Sequence, residues 1–459
     1  MILSSYVLDI SANSPLSNRS SRKLGKGVVF LTFAILIATI GLFTAIPLVV
    51  EGKTITVDQD GEGDTTTIAE GISLAEEGDE ILVHSGTYAE NLEINKKVIL
   101  QGAGNESTFI VGNGSGSTIL LSAPEVVISG FHVSGGGGAL RDGGIEIISD
   151  RNTISSVNCS ENSYGGIVVS QSEGNRISGV TARSNGKSGI EIFESPRTTV
   201  QDSTVLGNPT GVNCAFSSAP SFENILVRQS TEGMRFYRSS GCTIESSIIR
   251  GNGFGIYFLE SSDQVVEDAH FLGNNFALVI DQGGNSYLKG LMVDHNTNGI
   301  IFWKTGENRI EACNISMNSL GIRIDRSSNN TVNNSLLLQN ILGIQVEDNS
   351  RDNLVSKSHF SNNTEAINAT GDEGFPIDAI SNYWGNATGP YHYRNNANGT
   401  GDPVSDLVNF SPWLKSYPPE PAPAEDEIPL LDILSFLLIV LILLLAITIN
   451  YGDLNRGDT

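Results

Sequence analysis

Between residues 144 and 369 the chain repeats one short pattern: a small residue, an apolar residue, any residue, and a second apolar residue. It reads GIEI at Gly144, GIVV at Gly166, GIEI at Gly189, GVNC at Gly211, GMRF at Gly233 and GIYF at Gly255. It continues as ALVI at Ala277, GIIF at Gly299, GIRI at Gly321, GIQV at Gly343 and AINA at Ala366, in steps of 22 or 23 residues. An asparagine ladder runs in phase a few residues ahead, through Asn162, Asn185, Asn208, Asn252, Asn274, Asn296, Asn318, Asn340 and Asn362, broken at Ser230. Each period holds three short alternating segments separated by Gly, Asn and Ser, the pattern of brief strands joined by turns. A unit of this size cannot bury a core alone and must stack on its neighbours. The predicted fold is therefore all-β, a parallel β-helix of about 13 coils with three strands each, right-handed by the usual crossover preference.

The phase separates inside from outside. The two apolar positions point inward, as in Ile190 and Ile192, Val212 and Cys214, Ile256 and Phe258, Ile300 and Phe302, and Ile344 and Val346; the residues after each face outward. Asn suits the turn because it tolerates the left-handed backbone and can hydrogen-bond the Asn above and below.

Two segments break this pattern. Residues 27–50 carry no charge and are long enough to cross the ~30 Å hydrocarbon core of a bilayer. Arg19, Arg22, Lys23 and Lys26 precede them against Asp9 alone, which places the 1–26 tail in the cytoplasm and the repeat-bearing body outside. A cleaved signal peptide is the alternative to an anchor. Residues 428–449 form a second apolar segment holding only Asp432, after a stiff Pro- and acid-rich spacer at 417–427. The predicted order is cytoplasmic tail 1–26, transmembrane segment 27–50, extracytoplasmic β-helix 53–416, spacer, transmembrane segment 428–449, and cytoplasmic tail 450–459.

The chain has 51 acidic and 27 basic residues, a net charge of -24, of which about -21 belongs to the exported body. A surface of that sign repels nucleic acid and excludes it as a partner.

The segment ITVDQDGEGDTTTIAEGISLAEEGDEILVHSGTYAENLEINKKVILQGAG (residues 55–104) resembles the opening of β-helix proteins of the pectate-lyase-like superfamily. It reads as a strand, a capping helix from Thr67 to Glu77, and the first coils. NYWGNATGPYHYRNNANGTGDPVSDLVNFSPWL (residues 382–414) is similar to the closing segment of archaeal and bacterial surface β-helix proteins grouped with NosD, an accessory protein of nitrous-oxide reductase. The resemblance spans about residues 53–416 and implies the fold. It leaves function open, since the superfamily holds lyases, hydrolases, epimerases and adhesins. The NTD, DD, GHG and RIK motifs of polygalacturonase-like hydrolases are absent, as is the Asp-Pro-His-Asp motif of mannuronan epimerases.

One outward strip carries candidate chemistry. Tyr237, Leu259, Asp281, Trp303, Asp325 and Glu347 recur at one position on consecutive coils, with Arg235, Tyr257 and Arg323 beside them. Coils ~5 Å apart would put Asp325 and Glu347 at the spacing of a retaining carboxylate pair. The same residues suit sugar binding, with Trp303 as platform and acids and Arg taking hydroxyls; an ordinary solvated face is the third reading. The expectation is a membrane-anchored surface module for polysaccharide or envelope glycan, with an anchored lyase or glycoside hydrolase as its rival.

A NosD-like role in metal handling would need clustered imidazole or thioether ligands. His84, His132, His270, His295, His359 and His392 are scattered in phase, and Met234 and Met317 lie several coils apart, so no metal or other cofactor site is expected. Cys159, Cys214, Cys242 and Cys313 fall on different strands or non-adjacent coils, so no disulfide is expected either. Sequons at Asn105, Asn113, Asn158, Asn314, Asn329, Asn333, Asn362, Asn368, Asn386 and Asn398 are candidate glycosylation sites.

Overall fold

The computed structural model describes residues 52–347, 349–370 and 376–417. Three parallel sheets wind through this body. Sheet 1 has 16 strands, from Thr54–Val57 to Val408–Asn409; sheet 2 has 13, from Leu92–Ile94 to Glu365–Ala369; and sheet 3 has 13, from Gly86–Tyr88 to His359–Ser361. The protein is a parallel β-helix with about 22 residues per coil. Among the described residues no helix is long and apolar enough to cross a membrane. The segments 27–50 and 428–449, with both tails, lie outside the described residues.

The predicted phase holds. Val212, Met234, Ile256, Leu278, Ile300, Ile322 and Ile344 pair rung to rung in sheet 2 and are all buried, as are Cys214, Phe236, Phe258, Ile280, Phe302, Ile324 and Val346 two residues on. Glycine recurs at the start of the pattern for a steric reason. A Cβ at Gly299 would collide with the carbonyl oxygen of Gly321 on the next coil.

The capping helix α1 is shorter than expected, Ile68–Leu74 rather than Thr67 to Glu77. Thr67 caps it through its hydroxyl, and the Glu90 carboxylate accepts the N–H groups of Ile68 (3.0 Å) and Ala69 (2.9 Å). It stops where Ala75 turns extended and the Lys96 ammonium binds the carbonyls of Ser73 and Ala75. Ile68 and Ile72 are buried over the first coil.

The asparagine ladder is built from side-chain amides. Each Asn donates from Nδ2 to Oδ1 of the Asn one coil on, as from Asn274 to Asn296 and from Asn296 to Asn318 (both 3.1 Å), while its Oδ1 also accepts the previous backbone N–H. Two expectations change. The left-handed residue is the one before the ladder Asn, as at Gln229, His295, Met317 and Gln339. At the last coil Asn362 takes that left-handed place (φ 60°), and the ladder runs from Asn340 to Asn363, which donates onward to Asp402. The coil is one residue longer there, and the extra residue falls ahead of the turn.

Ser230 marks the gap. Its Oγ is buried without a partner, and its side chain is too short to reach Asn208. Ser230→Asn should restore the missing rung. At ~0.5–1.5 kcal/mol net per hydrogen bond, it should raise the urea unfolding midpoint; a lowered midpoint would mean that the site cannot take the larger amide.

The four cysteines are buried and free. Burial pushes the thiols of Cys214 and Cys313 up to about 12. None of the ten sequon asparagines is buried, and Asn113, Asn329, Asn362 and Asn398 are the most open.

Candidate functional site

The strip predicted on sheet 2 becomes one wall of a trough. Strands Phe254–Leu259, Phe276–Asp281, Asn298–Trp303 and Leu320–Asp325 lie side by side in register. Val279 and Ile301 point outward from the middle two, yet they are only 4 % and 6 % exposed. They form an apolar floor. Phe254 and Phe276 stack on each other along one side (centroids 4.8 Å apart, planes at 10°), with Tyr257 stacked on Phe254 at 5.5 Å. Trp303, 39 % exposed, stands opposite with Arg323, Asp325 and Arg326. The enclosed volume is about 330 Å³, at the lower end of the ~300–1,000 Å³ of small-molecule pockets.

A second, polar hollow of about 490 Å³ adjoins it, lined by Glu347, Asn349 and Thr370 and sharing Arg323, Asp325 and Arg326. Arg323 Nη2 donates to Asp325 Oδ2 (3.1 Å) and Glu347 Oε2 (2.7 Å), while Arg326 Nε donates to Asp325 Oδ1 (3.0 Å). Arg323 Nε is buried with no acceptor. Arg326 and Lys304 also flank the Trp303 ring, at 5.6 and 5.5 Å from its centroid.

The structure thus brings Tyr257, Trp303, Arg323, Asp325 and Glu347 together. Asp281 is different. It is buried, accepts the Tyr257 hydroxyl (2.9 Å) and Gln282 Nε2 (3.2 Å), and props Tyr257 instead of lining the trough. Burial, and then this hydrogen bond, push the Tyr257 phenol up to about 12, so it stays a neutral donor. Arg235 lies outside both hollows, near Glu232 at 3.9 Å. Sequence reasoning missed Phe254, Phe276, Val279, Ile301 and Arg326. Two apolar residues at outward positions beside Trp303 were a readable signal; Arg326, in a left-handed turn position, had none.

Asp325 and Glu347 grip the same guanidinium nitrogen. Both act as acceptors in a charge-assisted cluster, which is an arrangement for holding an ion pair, whereas glycoside hydrolysis needs one carboxyl free to donate a proton.

These features define a parallel β-helix protein with an aromatic surface trough. The family of periplasmic copper-binding proteins (NosD) matches residues 50–289 and 213–399, and the chain belongs to that family. No curated protein matches it. Among solved structures, it is similar to the A-module of a mannuronan C-5 epimerase from Azotobacter vinelandii, at 13 % identity over 75 % of this chain and 93 % of that one (TM-score 0.40). It is also similar to the Dettilon tailspike protein, at 13 % identity over 66 % and 64 % (TM-score 0.47). A periplasmic alginate epimerase matches at 12 % over 73 % and 76 % (TM-score 0.40).

The family description names copper, so the donor groups must be weighed. Among the described residues no three His, Cys, Asp or Glu side chains are arranged to hold an ion between them. The thiols are sealed in the core. His84 bonds Asp58 (2.7 Å), His132 bonds Ser160 (2.8 Å), His359 packs against Tyr383 and Tyr417, and buried His392 accepts the backbone N–H groups of Arg394 and Asn395. His270 and His295 are not scattered as expected, because both bond Asp294. Met292 and Met317 flank them, and a mixed imidazole and thioether set of this kind fits copper.

Proposed function

We propose that this protein is an extracytoplasmic, membrane-tethered module that binds polysaccharide in the sheet 2 trough without cleaving it. The observation that carries the reading is Trp303, a large aromatic left part-exposed on a solenoid that does not need it there, facing an apolar floor and stacked rings. Sugars offer a flat apolar face to such rings and hydroxyls to groups like Arg323, whose buried Nε lacks an acceptor. The acidic body favours a neutral glycan over a polyanion. The family description supports a place outside the cytoplasm.

A glycan array probed with the full chain tests this reading: at least one class of oligosaccharide should be retained, and an array with no ligand overturns it. Asp325→Asn with Glu347→Gln separates the rival lyase or hydrolase, for which product release would disappear while binding remained.

The tether makes its own prediction. Reporters fused after Thr459 and ahead of residue 27 should both read cytoplasmic, and one at Pro419 should read outside. A mature N-terminus found near Val50 would instead identify a cleaved signal peptide.

A further inference from the structure

Sheet 3 carries a constellation that the trough does not use. His270 and Met292 open the consecutive strands His270–Leu272 and Met292–Asp294 and are paired in register, so they stand one coil apart, about 4.8 Å. His295 comes directly after the second of these strands in a left-handed turn (φ 57°), and Met317 (φ 55°) holds the same place one coil on, after Asn314–Ser316. Each imidazole thus has a thioether at the equivalent position on the next coil. Met292 and Met317 are 50 % and 48 % exposed, and a solenoid gains no core from apolar side chains placed there.

Asp294 ties the two imidazoles together. Its carboxylate takes His270 Nε2 at 2.5 Å and His295 Nδ1 at 2.8 Å. That leaves His270 Nδ1 and His295 Nε2 without a hydrogen bond among the described residues. A carboxylate on one ring nitrogen fixes the tautomer and turns the other nitrogen toward a metal, as the outer partner of a ligating histidine does. Asp294 therefore serves as that outer partner for both rings, which is why the imidazoles and carboxylates alone show no converging set of three.

We propose that His270, Met292, His295 and Met317 form a Cu(I) site, with Asp294 orienting both imidazoles. Thioether donors select soft Cu(I), while Ca²⁺ and Mg²⁺ take oxygen ligands and Zn²⁺ takes thiolate, imidazole or carboxylate. The site lies on a different sheet from the trough and does not depend on sugar binding.

Anaerobic titration of the full chain with Cu(I), in competition with a chromogenic chelator, tests the assignment. Met292→Leu with Met317→Leu should weaken Cu(I) binding by more than about tenfold, and Asp294→Asn by roughly 10- to 100-fold, the range in which outer-partner changes act. Zn²⁺ affinity and the urea midpoint should be unchanged in the double Met variant. X-ray absorption should find sulfur bound to copper in the parent and only light atoms in that variant. A parent that does not retain Cu(I), or a double Met variant that holds it as tightly, overturns the proposal.

Discussion

Ile300→Asp should unfold several coils and lower the stability of the β-helix by more than about 5 kcal/mol, the range reached when a core side chain is lost and an unpaired charge is buried. Ile300 is completely buried between Leu278 and Ile322 on the neighbouring coils, with no polar group placed to receive a carboxylate. Each coil is the template for the next, so the damage spreads along the stack instead of closing around one cavity. Thr297→Asp, three residues away at an exposed turn position, should change stability by less than about 0.5 kcal/mol. Urea unfolding of the two variants beside the parent makes the comparison. An Ile300→Asp chain that unfolds at the parent's midpoint would show that the inward phase is misassigned.

Trp303→Ala should cost on the order of 1–3 kcal/mol of affinity for a bound oligosaccharide, by analogy with planar ligands stacked on aromatic side chains. That is a loss of roughly 5- to 150-fold. Stability should hardly move, because the ring lies outside the solenoid core and holds no rung in place; its close neighbours are the floor and the Arg326 and Lys304 side chains. Calorimetric titration, with the unfolding midpoint as control, separates loss of recognition from loss of fold. An unchanged affinity would reduce the strip to an ordinary solvated face.

The coil and its inward phase were legible because a period of 22 residues repeats often enough for stacking to be the one way to bury Ile300 or Phe258. Its edges were less so. Whether Asn362 or Asn363 continues the ladder depends on which side of the turn absorbs one extra residue, and the two side chains are chemically identical. The trough was half legible. Outward orientation followed from alternation, but exposure did not, since Val279 and Ile301 point out and are still covered. Asp281 shows the same limit: its position in the strip is as predicted, while its partner, the Tyr257 hydroxyl on the preceding coil, decides that it supports the trough from below. The copper constellation was overlooked for an arithmetical reason. Met317 belongs with His295, and Met292 with His270, each one period of 22 residues apart, whereas Met234 is a core residue.

Titration of tryptophan emission with an oligosaccharide selected on the array tests the trough most directly. Trp384 is fully buried and Trp413 is held in the closing segment by its bond to Ala387, which leaves Trp303 as the indole in the trough. The expected result is a saturable emission change in the parent, with the same midpoint as calorimetry, that vanishes in Trp303→Ala. A ligand that binds by calorimetry and leaves the emission unchanged would place the sugar elsewhere on the molecule and contradict the account.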